Sequence, residues 1–94
     1  MPVNLLDDLA EYVSVLSTSM EKTRRAEDRS AYLGHLAAAA LIFQHLQQSN
    51  LPEAKEQVVT EQQAYGRSFL DGEEGKVAEA AFSRFTRSFA QRGS

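Results

Sequence analysis

Hydrophobic residues recur along the chain at spacings of three and four, which is the period of a helix that buries one side. The first such stripe is formed by Leu5, Leu9, Tyr12, Leu16 and Met20. Polar residues lie between these positions, so the pattern predicts an amphipathic helix over about residues 4–24. Asn4 can cap its first turn, because an Asn side chain accepts a hydrogen bond from a free backbone N–H group.

The next stretch, residues 30–52, contains no Asp, Glu, Lys or Arg, although charged residues flank it on both sides. Its centre is rich in alanine, the strongest helix former, and has no Gly or Pro to interrupt it. We predict a second helix over about 29–49, capped by Asp28 or Ser30. The wheel places one apolar face at Tyr32, Leu36, Ala39, Ala40 and Phe43. Apolar residues also lie opposite, so we expect this helix to be central and covered nearly all round.

Two further helices are predicted, over about 51–71 and 74–91. Asn50 can cap the third helix, and Pro52 fits its first turn, where the missing N–H costs nothing. The fourth carries a narrow stripe of Ala78, Ala81, Phe82, Phe85 and Phe89. The sequence therefore predicts an all-α, up-and-down bundle of four helices in a single domain over residues 1–94.

Composition limits the classes of function. The 94 residues carry a formal net charge of −3, which gives no general attraction to nucleic acid or anionic lipid, and there is no Cys. No leader or membrane-spanning run is evident, so we expect a cytoplasmic protein. No metal-binding, phosphate-binding or nucleophile motif occurs, so no catalytic residue, cofactor or metal is predicted.

Three polar residues on the apolar helices need an interpretation. Glu61 falls on the buried stripe of the third helix, and we interpret it as an edge residue; the alternative is a buried carboxylate with a basic partner. The two histidines are ten residues apart on the second helix and cannot share a metal. His35 is expected to be partly exposed, and His45 to lie near the helix C-terminus, where the dipole favours a cation.

The outer side of the second helix is the strongest indication of function. It is expected to contain Gly34, Ala38, Leu41, Ile42 and His45. Small residues permit close approach of another backbone, and an exposed apolar strip marks an interaction site. We expect it to bind another chain, most simply in an antiparallel homodimer. In the alternative arrangement, the first and third helices enclose the whole second helix.

The expected function is thus protein–protein interaction, as a small non-catalytic adaptor, regulator or inhibitor. One alternative is a ligand- or metal-binding bundle or a small enzyme, with Glu61, His45 and Tyr65 as its polar lining. A nucleic-acid-binding regulator that uses the basic segments 22–29 and 84–92 is another alternative, which the net negative charge disfavours.

Overall fold

The computed structural model describes residues 5–66 and 72–92, and this part of the chain is helical throughout apart from two short connections. The helices are α1 (Leu5–Lys22), α2 (Ala26–Gln47), α3 (Leu51–Gly66) and α4 (Gly72–Arg92). The predicted all-α bundle of four helices is confirmed, and α4 begins two residues earlier than expected. The proposed Asn4 cap and the predicted end of the third helix lie outside the described residues.

The helices are packed in the order α4, α1, α2, α3. Helix α1 packs against α4 and α2, and α2 packs against α1 and α3. Helix α2 therefore has a neighbour on each side, as expected of a central helix, and α1 shares this inner position. Helices α3 and α4 are the outer members of the series.

The core is formed by one stripe from each inner helix, by the stripe of α4, and by Ala54 and Val58 of α3. The predicted residues of α1 and α4 are buried, with Met20 and Phe89 packed at the edge of the core. The largest fully buried side chains are Tyr12, Phe85, Leu9, Leu16 and Ile42. The hydrophobic period alone thus identified which side of α1 and of α4 faces inward.

The buried side of α2 differs from the prediction. Its buried residues are Tyr32, His35, Ala38, Ala39 and Ile42, whereas Ala40 and Phe43 are exposed. The expectation that α2 is covered nearly all round is also wrong for the single chain, because Leu33 is 53% and Leu41 is 44% exposed. Helices α1 and α3 cover only two sides of α2. Because α2 is apolar nearly all round, its sequence does not determine which two sides these are.

The connection before α2 is shorter than predicted. Helix α2 begins at Ala26, after Arg25 in an extended conformation without a side-chain cap, so the caps predicted at Asp28 and Ser30 are wrong. Glu27 and Asp28 instead lie in the first turn, where carboxylates offset the positive end of the helix dipole. Arg29 donates to the Thr23 carbonyl at 3.1 Å and ties the connection to α2.

Helix α2 ends in a tight turn that leads directly into α3. The backbone N–H of Asn50 donates to the His45 carbonyl at 2.8 Å, and that of Ser49 donates to the Leu46 carbonyl at 3.1 Å. This pair of bonds is the Schellman motif, which needs a left-handed residue at the position of Ser49. Ser49 has a φ of 57°. The Asn50 carbonyl then accepts the first helical bond of α3, from Ala54, as predicted for a residue at the helix start.

Candidate functional site

The exposed side of α2 carries a continuous apolar strip without any charge. We define the α2 strip as the exposed residues Ser30, Leu33, Gly34, Ala37, Ala40, Leu41 and Gln44. An added Cβ at Gly34 would meet no atom within 4 Å, so the chain itself leaves this position open. Nearly a quarter of the residues of the whole chain are charged. An uncharged helix face is therefore a local feature of this protein's surface.

The five residues predicted to bind a partner do not share one environment. Gly34 and Leu41 are exposed and belong to the α2 strip. Ala38 and Ile42 are buried inside the chain, with Ile42 fully inaccessible. His45 is half-buried and lies in the last turn of α2, as predicted. The surface that remains available to another chain is rotated toward Leu33 and Ala37 from the one that was predicted.

A buried polar cluster joins three helices in the interior. We call it the polar cluster and define it as Tyr12 of α1, His35 of α2, and Glu61 and Tyr65 of α3. The His35 Nδ1 atom lies 2.9 Å from the Glu61 Oε2 atom, with side chains 8% and 6% exposed. The Tyr12 hydroxyl lies 3.2 Å from the same carboxyl oxygen and 2.5 Å from the Tyr65 hydroxyl. The His35 ring and the Tyr12 hydroxyl, from two helices, thus meet at the carboxyl group of Glu61 on a third, and Tyr65 joins the cluster through Tyr12.

Aromatic packing extends the polar cluster to α4. The Tyr65 ring is stacked between His35 and Phe82, with centroid distances of 4.3 and 4.8 Å. The Tyr12 ring meets the same Phe82 ring at 5.2 Å. All four helices therefore contribute a ring or a carboxyl group to this region.

The phenols of the polar cluster are held in their neutral form. Burial raises the pKa of the Tyr12 hydroxyl far above its usual value, and the adjacent Tyr65 and Glu61 raise it further. Burial also raises the pKa of Tyr65, although its hydrogen bond with Tyr12 partly opposes that shift. Both phenols consequently remain protonated at pH values where an exposed tyrosine ionises.

Two sequence interpretations are corrected by this cluster. Glu61 is buried and paired, so its interpretation as an edge residue is wrong and the alternative, a carboxyl group with a basic partner, holds. His35 is buried rather than partly exposed, and it is the residue that supplies the partner. A usable signal was the spacing of Tyr32, His35, Ala39 and Ile42, which alternates steps of three and four.

The polar lining considered for a ligand-binding bundle is only partly assembled. Glu61 and Tyr65 lie together, but the histidine beside them is His35 and not His45. The His45 Nδ1 atom is buried and has no hydrogen-bond partner among the described residues. Within residues 5–66 and 72–92, no group of three or more His, Cys, Asp or Glu side chains could hold a metal ion.

Each basic segment has an arginine in an ion pair with a carboxylate of the chain. Arg25 pairs with Glu27 at 3.2 Å, and Arg84 pairs with Glu11 at 3.2 Å, both at the surface. Arg29 donates to a backbone carbonyl. These contacts direct several of the arginines of segments 22–29 and 84–92 toward the protein itself.

A groove lies between the outer helices. It has a volume of about 690 Å³; Leu51, Lys55, Val58 and Val59 of α3 line one side, and Phe89 and Ala90 of α4 the other. Leu51 and Val59 are each 42% exposed. The groove runs along the side of α3 that faces α4 and is open to solvent.

Comparison with known proteins identifies no relative: no family model, curated protein or solved structure matches this chain. In the described part of the chain, no helix combines the length and the apolar character needed to cross a membrane.

Proposed function

We propose that this protein acts by binding another protein chain through the α2 strip, and that the first such partner is a second copy of itself. A role as an adaptor, regulator or inhibitor then rests on assembly rather than on catalysis. The observation that carries the proposal is the exposure of an uncharged helix face with an apolar centre in a chain of which nearly a quarter of the residues are charged.

The residues of the α2 strip are arranged symmetrically about Ala37. Leu33 and Leu41 lie four residues before and after it, and Gly34 and Ala40 lie three before and after. Ser30 and Gln44 complete the arrangement seven residues away on either side. The character of the residues therefore reads polar, large, small, small, small, large, polar in both directions.

Such a pattern is complementary to itself in an antiparallel pair. A twofold axis through Ala37 places Leu33 of one copy beside Leu41 of its mate, and Gly34 beside Ala40. Small residues at the centre permit the two backbones to approach closely, and no like charges meet. The strip extends over 15 residues, or about 21 Å of helix, which suits a dimer of modest affinity.

Light scattering after size-exclusion chromatography tests self-association at protein concentrations from about 10 µM to 1 mM, the range that a small interface requires. We expect a dimer whose dissociation constant rises at least tenfold in Leu41→Glu, because two desolvated carboxylates enter the interface. The matched control is Val77→Glu, at a position 51% exposed on α4, and it should leave the dimer unchanged.

Cysteine cross-linking tests the register, since the chain has no cysteine of its own. Ala37→Cys should form a disulfide-linked dimer by itself, because the two residues face each other across the axis. Leu33→Cys and Leu41→Cys should link to each other when the two variants are mixed, and far less when each is alone. A strict monomer at 1 mM protein, with none of these cross-links, refutes the dimer.

The alternatives receive less support from the described residues. The polar groups of the polar cluster are hydrogen-bonded to one another, as expected of a structural core. This arrangement supports a structural role more than a catalytic or ligand-binding role. Nucleic-acid binding rests on arginines that are partly engaged with the chain's own carboxylates. The cytoplasmic location remains a prediction.

A further inference from the structure

We propose that the groove between α3 and α4 binds a monoanionic amphiphile of the fatty-acid class, with its acyl chain in the groove and its carboxylate at Lys55. This site is separate from the α2 strip and does not depend on the function proposed for that strip. It would make the protein a carrier or sensor of an acyl ligand.

The groove exists because the bundle is not closed. Close packing joins α4 to α1, α1 to α2 and α2 to α3, whereas the groove separates the start of α3 from the end of α4. Its volume of about 690 Å³ falls in the range of small-molecule sites, which is roughly 300–1,000 Å³. The gap is large enough to bury much of a small ligand.

The walls of the groove favour an acyl chain. Leu51, Val58 and Val59 of α3 face Phe89 and Ala90 of α4 across it. From Leu51 to Gln62 the lining spans 12 residues of α3, or about 16 Å. Polar groups are few: the Thr86 hydroxyl already donates to the Ser83 carbonyl. Apolar walls over this length suit a linear hydrocarbon chain better than a polar metabolite.

The charge at the groove favours an anion. Lys55 is the only charged residue among the described ones that line it, although the whole chain holds 13 acidic and 10 basic residues. Lys55 lies between Leu51 and Val59 on successive turns of α3, and it forms no ion pair within the described residues. A lysine stem can lie along an apolar wall while its ammonium group meets a carboxylate at the rim.

Calorimetry and amide-shift mapping with sodium decanoate, kept below its micelle concentration, test the site. We expect saturable 1:1 binding, with shifts on α3 and α4 along the groove and none on the α2 strip. Decylamine, which has the same chain and the opposite charge, should bind at least about fivefold more weakly. Absence of saturable decanoate binding overturns the proposal, as does equal binding of the two amphiphiles.

Two variants locate the ligand. Lys55→Met keeps the apolar stem and removes the charge, so decanoate affinity should fall about fivefold, while Lys76→Met at an exposed position of α4 should change nothing. Ala90→Trp fills the groove from an exposed position and should abolish binding. Unchanged affinity in both Lys55→Met and Ala90→Trp overturns the proposal. Leu41→Glu should bind decanoate normally, which keeps this test independent of the dimer.

Discussion

Replacing His35 by leucine tests whether the polar cluster is a coupled unit. His35 and Glu61 lie 2.9 Å apart with side chains 8% and 6% exposed, so water cannot replace a lost partner. Without His35, the Glu61 carboxyl group must either carry an uncompensated charge or bind a proton. Removal of one member of a buried pair typically costs about 3–5 kcal/mol.

That cost is large for a chain of this size. Total stability of roughly 0.05–0.15 kcal/mol per residue gives about 5–14 kcal/mol for 94 residues. Urea denaturation followed by circular dichroism at 222 nm measures the loss. With an m-value of about 1–1.5 kcal/mol/M, the midpoint of His35→Leu should fall by at least about 2 M.

A double-mutant cycle separates the pair from its surroundings. Glu61→Leu alone leaves the His35 ring without its acceptor and should also destabilise by several kcal/mol, roughly 2–4. In the double variant both members are apolar, and the Tyr12 hydroxyl keeps Tyr65 as a partner. The double variant should therefore be no less stable than either single variant, with a coupling energy of at least about 2 kcal/mol.

The second histidine supplies the control. His45→Leu removes a half-buried ring whose Nδ1 atom has no described partner, so stability should stay within about 1 kcal/mol of the parent or rise. A cost below about 1 kcal/mol for His35→Leu, or a cycle that is additive within about 0.5 kcal/mol, would show that Glu61 does not depend on His35.

Three further predictions concern pH, the turn after α2 and the core. Because the pKa values of Tyr12 and Tyr65 are raised, the folded state keeps two protons that the unfolded chain loses above about pH 10. The free energy of unfolding should therefore be unaffected below pH 10 and should fall by up to about 2.7 kcal/mol per pH unit above it. Urea titrations at several pH values measure this slope, which should be about half as large in Tyr65→Phe. Ser49→Gly should raise the free energy of unfolding by about 0.5–1 kcal/mol, because glycine adopts a φ of 57° without the clash that a Cβ brings. Gln48→Gly is the control, and a gain in Ser49→Gly no larger than in this control would contradict the explanation. Ile42→Ala should lower the free energy of unfolding by about 2–5 kcal/mol because it opens a cavity in the core, whereas Leu33→Ala, measured on the monomer at low concentration, should lower it by less than about 1 kcal/mol. Equal losses in the two variants would mean that the buried side of α2 is not the one that contains Ile42.

The hydrophobic pattern was sufficient to predict that the chain forms four α-helices and which side of α1 and of α4 faces the core. Those two helices have narrow stripes, so only one orientation buries them. Pro52 and Asn50 similarly marked the start of α3, because proline is tolerated in a helix only in its first turn. These features follow from local sequence, and tertiary packing did not change them.

The orientation of α2 and the partners of Glu61 were decided by tertiary packing alone. Helix α2 is apolar on almost every side, so many rotations bury similar areas, and the choice falls to contacts with α1 and α3. The pairing of Glu61 with His35 spans 26 residues and depends on that rotation. Sequence could indicate that a carboxyl group on a buried stripe needs a base, but only the packed helices decide which histidine is within reach.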